Sequence, residues 1–439
     1  MIRGVGLSAA IATNAIAMIG IGPLITIPLV LAALHGPLSL AAWILGALVA
    51  ICDGLVWAEL GAALPRSGGL YAFFLELFGP RSGRLLAFLF VWQFVITTPF
   101  LLASGYIGFS QYATYMFPAL RGNELAQHAL AVGIGAVTIV LLARVINRVA
   151  LISLLLFSIA TLTLVAVTLA AWVRFDPHLA FTAAPQSHAF WPFVAGLGSG
   201  LTVTLYDYLG YNTITSIGEE VISPARTVPR SIIAAVAIVA FLYLALQTGI
   251  LGSIPWRQLL GDSFVASTVV ERALGGPSAY AVTILILITA FASTFALLLA
   301  ASRVPYAAAR DGLFLPAFGR LHGHDAYPYV SLIAIGTLAL VCCFLPLDTV
   351  IAVVGVGIVV MGGIGAFASL LKLRASGIAL PYKMPFFPLP PLVALAAWVY
   401  VLATAGVFPV VFTIVSLGSA AVVYRGSWSS SARRGKPLG

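Results

Sequence analysis

Asp207 is the residue of this sequence whose position most demands a chemical explanation. It lies with Tyr206, Tyr208, Tyr211 and Asn212 around Gly210, inside FWPFVAGLGSGLTVTLYDYLGYNTITSIGEEVI (190–222). That stretch is long enough to cross a bilayer, where a carboxylate is expensive and marks a function by default. Three roles are open to it: holding a positively charged ligand, carrying a proton, or capping a broken helix by accepting backbone N–H bonds. Glycines at 196, 198, 200 and 210 each weaken a helix by up to about 1 kcal/mol relative to alanine. Unwound backbone at membrane depth is tolerated only where protein buries it or where it lines a wet cavity. A broken polar segment of this kind reads as a binding site. The competing reading is a glycine-rich helix packed tightly on its neighbours.

The first apolar run repeats the anomaly. In AIAMIGIGPLITIPLVL, Gly20, Gly22 and Pro23 interrupt a helix that would otherwise run from about Leu7 to Leu34. Backbone N–H groups freed after Gly20, Ile21 and Gly22 suit a carboxylate. Carbonyls freed at the break near Gly210 suit an ammonium group. Together the two breaks describe a site for a small zwitterion such as an α-amino acid.

The elements that must position these residues are membrane helices. The chain has 439 residues, is 61% hydrophobic and only 8% charged, with a mean hydropathy of +1.09; soluble domains carry about 25% charged residues. The net charge of +9 is spread singly between apolar runs, so it points to the cytoplasmic membrane leaflet rather than to nucleic acid. Cys52, Cys342 and Cys343 all lie in apolar segments and are expected to pack, not to form disulfides or bind metal. The first apolar run reads as a transmembrane helix, not a cleavable signal. Twelve spans are expected, at about 7–34, 38–64, 84–117, 127–143, 149–173, 190–222, 229–253, 277–308, 328–346, 349–371, 387–404 and 407–424. With both termini cytoplasmic, only Arg121, Arg174, Arg257 and Arg272 fall on the outside, which orients the array. Interruptions five helices apart predict a five-plus-five inverted repeat with a midplane site. The expected organisation is a ten-helix core over 1–372 (repeats at about 7–173 and 190–371), two peripheral helices over 373–424, and a short basic tail over 425–439.

Several motifs then resemble one family across nearly the whole chain. They are GIGP at 20–23, AELGAALPRSGGLYAFFLELFG at 58–79, GYNTITSIGEEVISPARTVPRSI at 210–232, ASRVPYAAARDGLFLP at 301–316 and PYKMPFFPLPP at 381–391. In combination the chain resembles the amino acid–polyamine–organocation superfamily of permeases, of the bacterial amino acid permease type. The resemblance implies an all-α, leucine-transporter-like membrane fold that works by alternating access. It implies a substrate carboxylate at the backbone of Gly20, Ile21 and Gly22, beside Ile19. It places the substrate amino group at sixth-span backbone near Tyr206, Asp207, Tyr208, Leu209 and Gly210, with Tyr206 where the family has a gating aromatic.

Coupling is less legible. Proton-coupled relatives carry a fifth-span lysine, which VALISLLLFSIATL (149–162) lacks, and some exchangers carry a glutamate where Asn212 stands. In the eighth span, Ala290, Ser293 and Thr294 have the spacing of a sodium site in the wider fold, to be completed by first-span carbonyls at Ala17 and Gly20. The competing reading has both hydroxyls bonding their own helix. Sodium and proton both remain open, as do exchange and uniport. Glu219, Glu220, Arg226 and Arg230 read as an inner-gate charge cluster, joined by Glu59, Arg66, Arg303, Arg310 and Asp311. Asp53 shares the ambiguity of Asp207: the polyamine branch shows an acidic residue near that place, and a packing or folding role stands equally open. His322 and His324 alternate as a metal pair would, in a cytoplasmic loop, and read as a solvated loop instead. No phosphate-binding glycine loop and no nucleophile–base pair is visible, so neither ATP drive nor an enzyme is expected. The expected function is secondary transport of a small amino acid across the plasma (inner) membrane, without a cofactor and without an obligatory protein partner. A polyamine or cationic amino acid carrier is the alternative, and a non-transporting nutrient sensor or partner subunit is the rival class.

Overall fold

The computed structural model describes residues 3–144, 149–182, 190–322 and 327–427, and of 144, 149–157 and 427 the backbone alone. His324 and residues 428–439 of the expected tail lie outside the described residues. Apart from two isolated β-bridges, everything described is helix, turn or loop.

The first expected span is three helices, α1 (Leu7–Met18), α2 (Gly22–Ile25) and α3 (Ile27–Leu34). Next come α4 (Ser39–Ala63), the connecting helix α5 (Leu70–Leu77), and α6 (Gly79–Met116). Then follow α7 (Glu124–Arg144), α8 (Val149–Val173), the short α9 (Pro177–Phe181) and α10 (Phe190–Asp207). The second half continues with α11 (Pro224–Ser253), α12 (Trp256–Leu259), α13 (Val265–Leu274) and α14 (Gly276–Arg310). The chain closes with α15 (Tyr329–Cys342), α16 (Leu347–Ile358), α17 (Gly365–Ala375), α18 (Leu389–Thr404) and α19 (Val407–Ser427). A π-helical segment, Val359–Ile364, joins α16 to α17 without ending the helix.

Among the described residues, eight helices are long and apolar enough to cross a membrane, and Ser158–Val173, Tyr329–Cys342 and Leu389–Thr404 are shorter apolar helices. The molecule is therefore a multi-pass membrane protein. Its large apolar side chains behave accordingly: Leu169, Phe241 and Ile414 are 65%, 73% and 63% exposed, which lipid rather than water accommodates.

The core gathers around the broken spans. α11 runs along α1 and α4, α10 packs on α3 and α4, and α14 lies between α6 and α8. Trp43, Tyr208 and Tyr243 stack edge to face or tilted, with centroids 5.4–6.1 Å apart, and anchor α4, the sixth-span break and α11 to one another. Pro229 lies inside α11, so that helix begins at Pro224, five residues before the expected span of about 229–253.

Candidate functional site

The first break leaves donors free and acceptors capped. α1 stops at Met18, and Ile19 turns into extended backbone (φ −81°, ψ 109°). Pro23 then occupies the first turn of α2, where its missing N–H costs nothing, so it starts a helix rather than kinking one. The N–H groups of Gly20, Ile21 and Gly22 donate to no protein acceptor among the described residues. The freed carbonyls are taken by side chains of intact helices. Tyr243 donates to Met18 O at 2.8 Å, Gln247 Nε2 to Pro23 O at 3.2 Å and Tyr112 to Leu24 O at 3.0 Å.

The second break follows Asp207, and the two breaks touch. Gly210 has φ +114°, which only glycine adopts freely, and a Cβ there would lie 2.6 Å from the carbonyl carbon and oxygen of Ala17. Beyond it the chain continues as two 3₁₀ turns, Thr213–Ser216 and Gly218–Glu220. Asn14 Oδ1 in α1 accepts the Ile214 N–H at 2.9 Å. Further along, Gly4 and Val5 both donate N–H to Glu220 O at 3.0 Å, and Ile222 N–H reaches Val5 O at 2.9 Å.

Between the breaks lies a cavity of 470 Å³, walled by residues 19–23, Tyr206, Asp207 and Leu209, with Ser104 of α6 and Ser293 of α14 opposite. Asp207 is 3% exposed; its Oδ2 accepts from Thr26 Oγ1 at 2.7 Å, and its Oδ1 has no hydrogen-bond partner among the described residues. Gly22 packs directly on that carboxylate, so closely that a Cβ at position 22 would collide with Oδ1. Tyr206 and Ser104 share a hydroxyl–hydroxyl bond of 2.7 Å that links α10 to α6 over the cavity. Exposed Ile16, Ala17 and Ala300 complete its wall.

The residues expected at the site do not all meet there. Ile19, Gly20, Ile21, Gly22, Tyr206, Asp207 and Leu209 line the cavity. Tyr208 does not: it is fully buried, faces Trp43 and Tyr243, and donates to Trp43 O at 3.4 Å. Gly210 lines a neighbouring cavity instead. The helical turn at Tyr208 rotates its ring away from its neighbours, which spacing alone does not reveal. Of the expected ion ligands, Ala17, Gly20, Ser293 and Thr294 line the cavity, and a Cβ on Gly20 would sit 3.7 Å from Ser293 Cβ. Ala290 is buried behind them. Ser293 and Thr294 each donate to Ala290 O, at 3.1 and 3.0 Å, which occupies the carbonyl proposed as a ligand.

The inner-gate charges are arranged differently from the expectation. Among the described residues, no ion pair joins Glu219 or Glu220 to Arg226 or Arg230; Glu219 accepts the Ser67 N–H at 3.4 Å, and Glu220 contributes its backbone carbonyl. The buried ion pair at that end is Glu59 with Arg374, bidentate at 2.7 Å for both bonds, with Glu59 also accepting the Met384 N–H at 2.8 Å. Arg374 in turn lies 3.6 Å from the Phe387 ring centroid. Arg66 pairs with Glu76 at 2.9 Å. Tyr71 of α5, outside the spans, donates to Asp311 at 3.0 Å, and burial together with that carboxylate pushes its phenol well above the usual range.

Sequence reasoning missed Asn14, Thr26, Ser104, Tyr112, Tyr243 and Gln247. Each is a polar residue in an apolar span, Thr26 at the junction of α2 and α3 and the others on helices, and that is the available signal: membrane spans bury such groups only with a partner.

A family model described as amino acid permease matches residues 7–427. The chain is 28% identical over 312 residues to the mouse Asc-type amino acid transporter 1, an alignment covering 70% of this chain and 56% of that protein. It is thus similar to little more than half the length of that relative. It is 24% identical over 409 residues to the branched-chain amino acid permease of Lactococcus lactis, covering 90% of this chain and 85% of the other. To the serine/threonine exchanger of Bacillus subtilis it is 25% identical over 375 residues, covering 83% and 82%.

Proposed function

This chain belongs to the amino acid permease family, and on that premise we propose that it carries a small amino acid across the membrane by alternating access to the central cavity. One observation carries the reading: the unpaired N–H groups of Gly20, Ile21 and Gly22 and the Asp207 carboxylate border the same 470 Å³ space. A zwitterion's carboxylate is matched by those donors, and its ammonium by Asp207 and the Tyr206 ring. Tyr206, held by Ser104, serves as the gate on one side. The exposed wall at Ile16 and Ala300 is the route on the other, with Glu219, Glu220, Arg226 and Arg230 read as the charges of the inner gate.

In this reading the eight long helices, the three shorter apolar helices and α10 make twelve spans. The core of 1–372 is an inverted repeat with its broken first and sixth members at the centre, flanked by the helices of 373–424. Both termini are read as cytoplasmic, which the arginine asymmetry supports, and the membrane as the plasma membrane. A coupling ion, sodium or a proton, is served by the same region. Ser293 lies against Gly20, and Asp207 is a carboxylate in contact with the cavity.

A second reading, transport of a cationic amino acid or polyamine, is favoured by the place of Asp207. Its Oδ1 rests on Gly22, where a substrate carboxylate would otherwise be most welcome. A ligand with an additional positive charge relieves that crowding of anions. Thermal-shift and proteoliposome uptake measurements with the proteinogenic amino acids, putrescine and spermidine, in sodium or choline, test both. Stabilisation and uptake of neutral amino acids support the first reading; a response to polyamines alone supports the second. Binding without uptake would identify a sensor, and a folded protein silent to every ligand would reject transport of this class.

A further inference from the structure

A second cavity of 280 Å³ adjoins the first, and Leu101, Leu209 and Thr213 line both. Its walls come from α4, α6, the segment after Gly210, the π-helical turn and α18. At its polar corner Asp53, 2% exposed, accepts Tyr211 OH at 2.6 Å and Trp57 Nε1 at 2.9 Å on Oδ2. Oδ1 receives only Trp398 Nε1, at 3.3 Å, and so keeps acceptor capacity. No lysine, arginine or histidine lines this cavity among the described residues. Thr98 and Asn212 add a hydroxyl and a carboxamide to its wall.

A buried carboxylate held by three neutral donors has its geometry fixed but its charge uncompensated. Indole and phenol rings beside it add attraction for a cation. The π-helical segment opens the helix backbone here without a proline, an arrangement that recurs at functional sites. The geometry points to the second cavity as a separate binding station for a primary ammonium group on a small aliphatic chain, with Asp53 as its counter-charge. It rests on the transport reading only in that the ammonium would be that of the transported amine, waiting beyond the Leu101–Leu209 partition. The cavity is walled in part by the sixth-span segment that follows the central site, and it reaches Gly68 and Gly69 beside Arg66.

The test is titration of purified protein, labelled with fluorotryptophan, with n-butylammonium chloride, read by fluorine NMR. Trp57 and Trp398 line the second cavity, and no tryptophan lines the first. Their resonances, assigned through Trp57→Phe and Trp398→Phe, therefore report the second cavity. Both should shift saturably, and should still do so in Asp207→Asn. Asp53→Asn should weaken the response by about tenfold. Because that change disturbs three hydrogen bonds, Gly362→Leu provides an independent check. Gly362 lines the cavity, and a Cβ there meets only Ile358, at 3.4 Å, so a leucine side chain can enter the space while the Asp53 carboxylate is left intact. It should abolish the shifts. Unmoved resonances, shifts lost in Asp207→Asn, or shifts untouched by Gly362→Leu would overturn the proposal. Amino acid uptake that persists in such a case leaves the transport reading intact. Shifts that persist without any uptake overturn the transport reading alone.

Discussion

Gly22 and Asp207 are in such close contact that no side chain fits between them: a Cβ at position 22 would collide with Oδ1 and lie 3.3 Å from the Tyr206 ring. The glycine that breaks the first span thus also seats the carboxylate of the sixth. Gly22→Ala is expected to push Asp207 off Thr26 and to cost about 1–3 kcal/mol by overpacking. Ligand-induced thermal stabilisation should fall with it. Unchanged ligand response in a folded Gly22→Ala protein would show that the contact does not shape the site.

Gly210→Ala should be harsher. The residue would need φ +114° and would meet the backbone of Ala17 at 2.6 Å, so strain and collision add. We expect loss of folded protein, read as monodispersity in detergent, at a cost of more than about 2 kcal/mol. Normal yield and melting would mean that the two broken spans can separate at this point.

Asn14→Ala removes the acceptor of the Ile214 N–H, which is buried, and should lower stability by about 1–3 kcal/mol. The same substitution at Thr13, whose hydroxyl only bonds its own helix at Ala9 O, should have a much smaller effect. Equal melting of both variants would remove Asn14 from the list of tertiary anchors.

Arg374→Ala strands Glu59, which is fully buried, and is expected to cost about 3–5 kcal/mol. Arg374→Ala combined with Glu59→Gln should recover part of that loss, since the uncompensated charge is gone. A double variant no better than Arg374→Ala would show that the Phe387 contact, not the charge pair, dominates.

Tyr206→Phe and Ser104→Ala each delete the same hydroxyl–hydroxyl bond, so their effects should not add. Each is expected to shift the balance between the two access states by about 0.5–1.5 kcal/mol, seen as altered exchange rates in proteoliposomes. Additive effects would mean the bond does not hold the gate.

The breaks and the membrane class were legible because glycine, proline and hydropathy act locally. Gly20, Gly22, Pro23 and Gly210 announce interrupted helices from their own chemistry. The partners that complete the site were not legible, because Tyr243, Gln247 and Thr26 sit in spans whose pattern is simply apolar and whose contacts arise from packing 181–225 residues apart in sequence. Tyr208 failed for a related reason: being beside Asp207 in the chain puts it on another face of the turn. The pairing of the inner charges was not legible for the same reason. Glu219 and Arg226 are neighbours in sequence, yet the buried pair joins Glu59 to Arg374 across 315 positions.

The backbone pairing of Gly4 and Val5 with Glu220 and Ile222 has a mechanical corollary. Together with the Asn14–Ile214 bond and the Ala17–Gly210 contact, it stitches α1 and the end of the sixth span along their shared length. Tilt of one is then tilt of the other, and two apparent levers collapse to a single coordinate. A spin-label distance measured from either to α14 would report both.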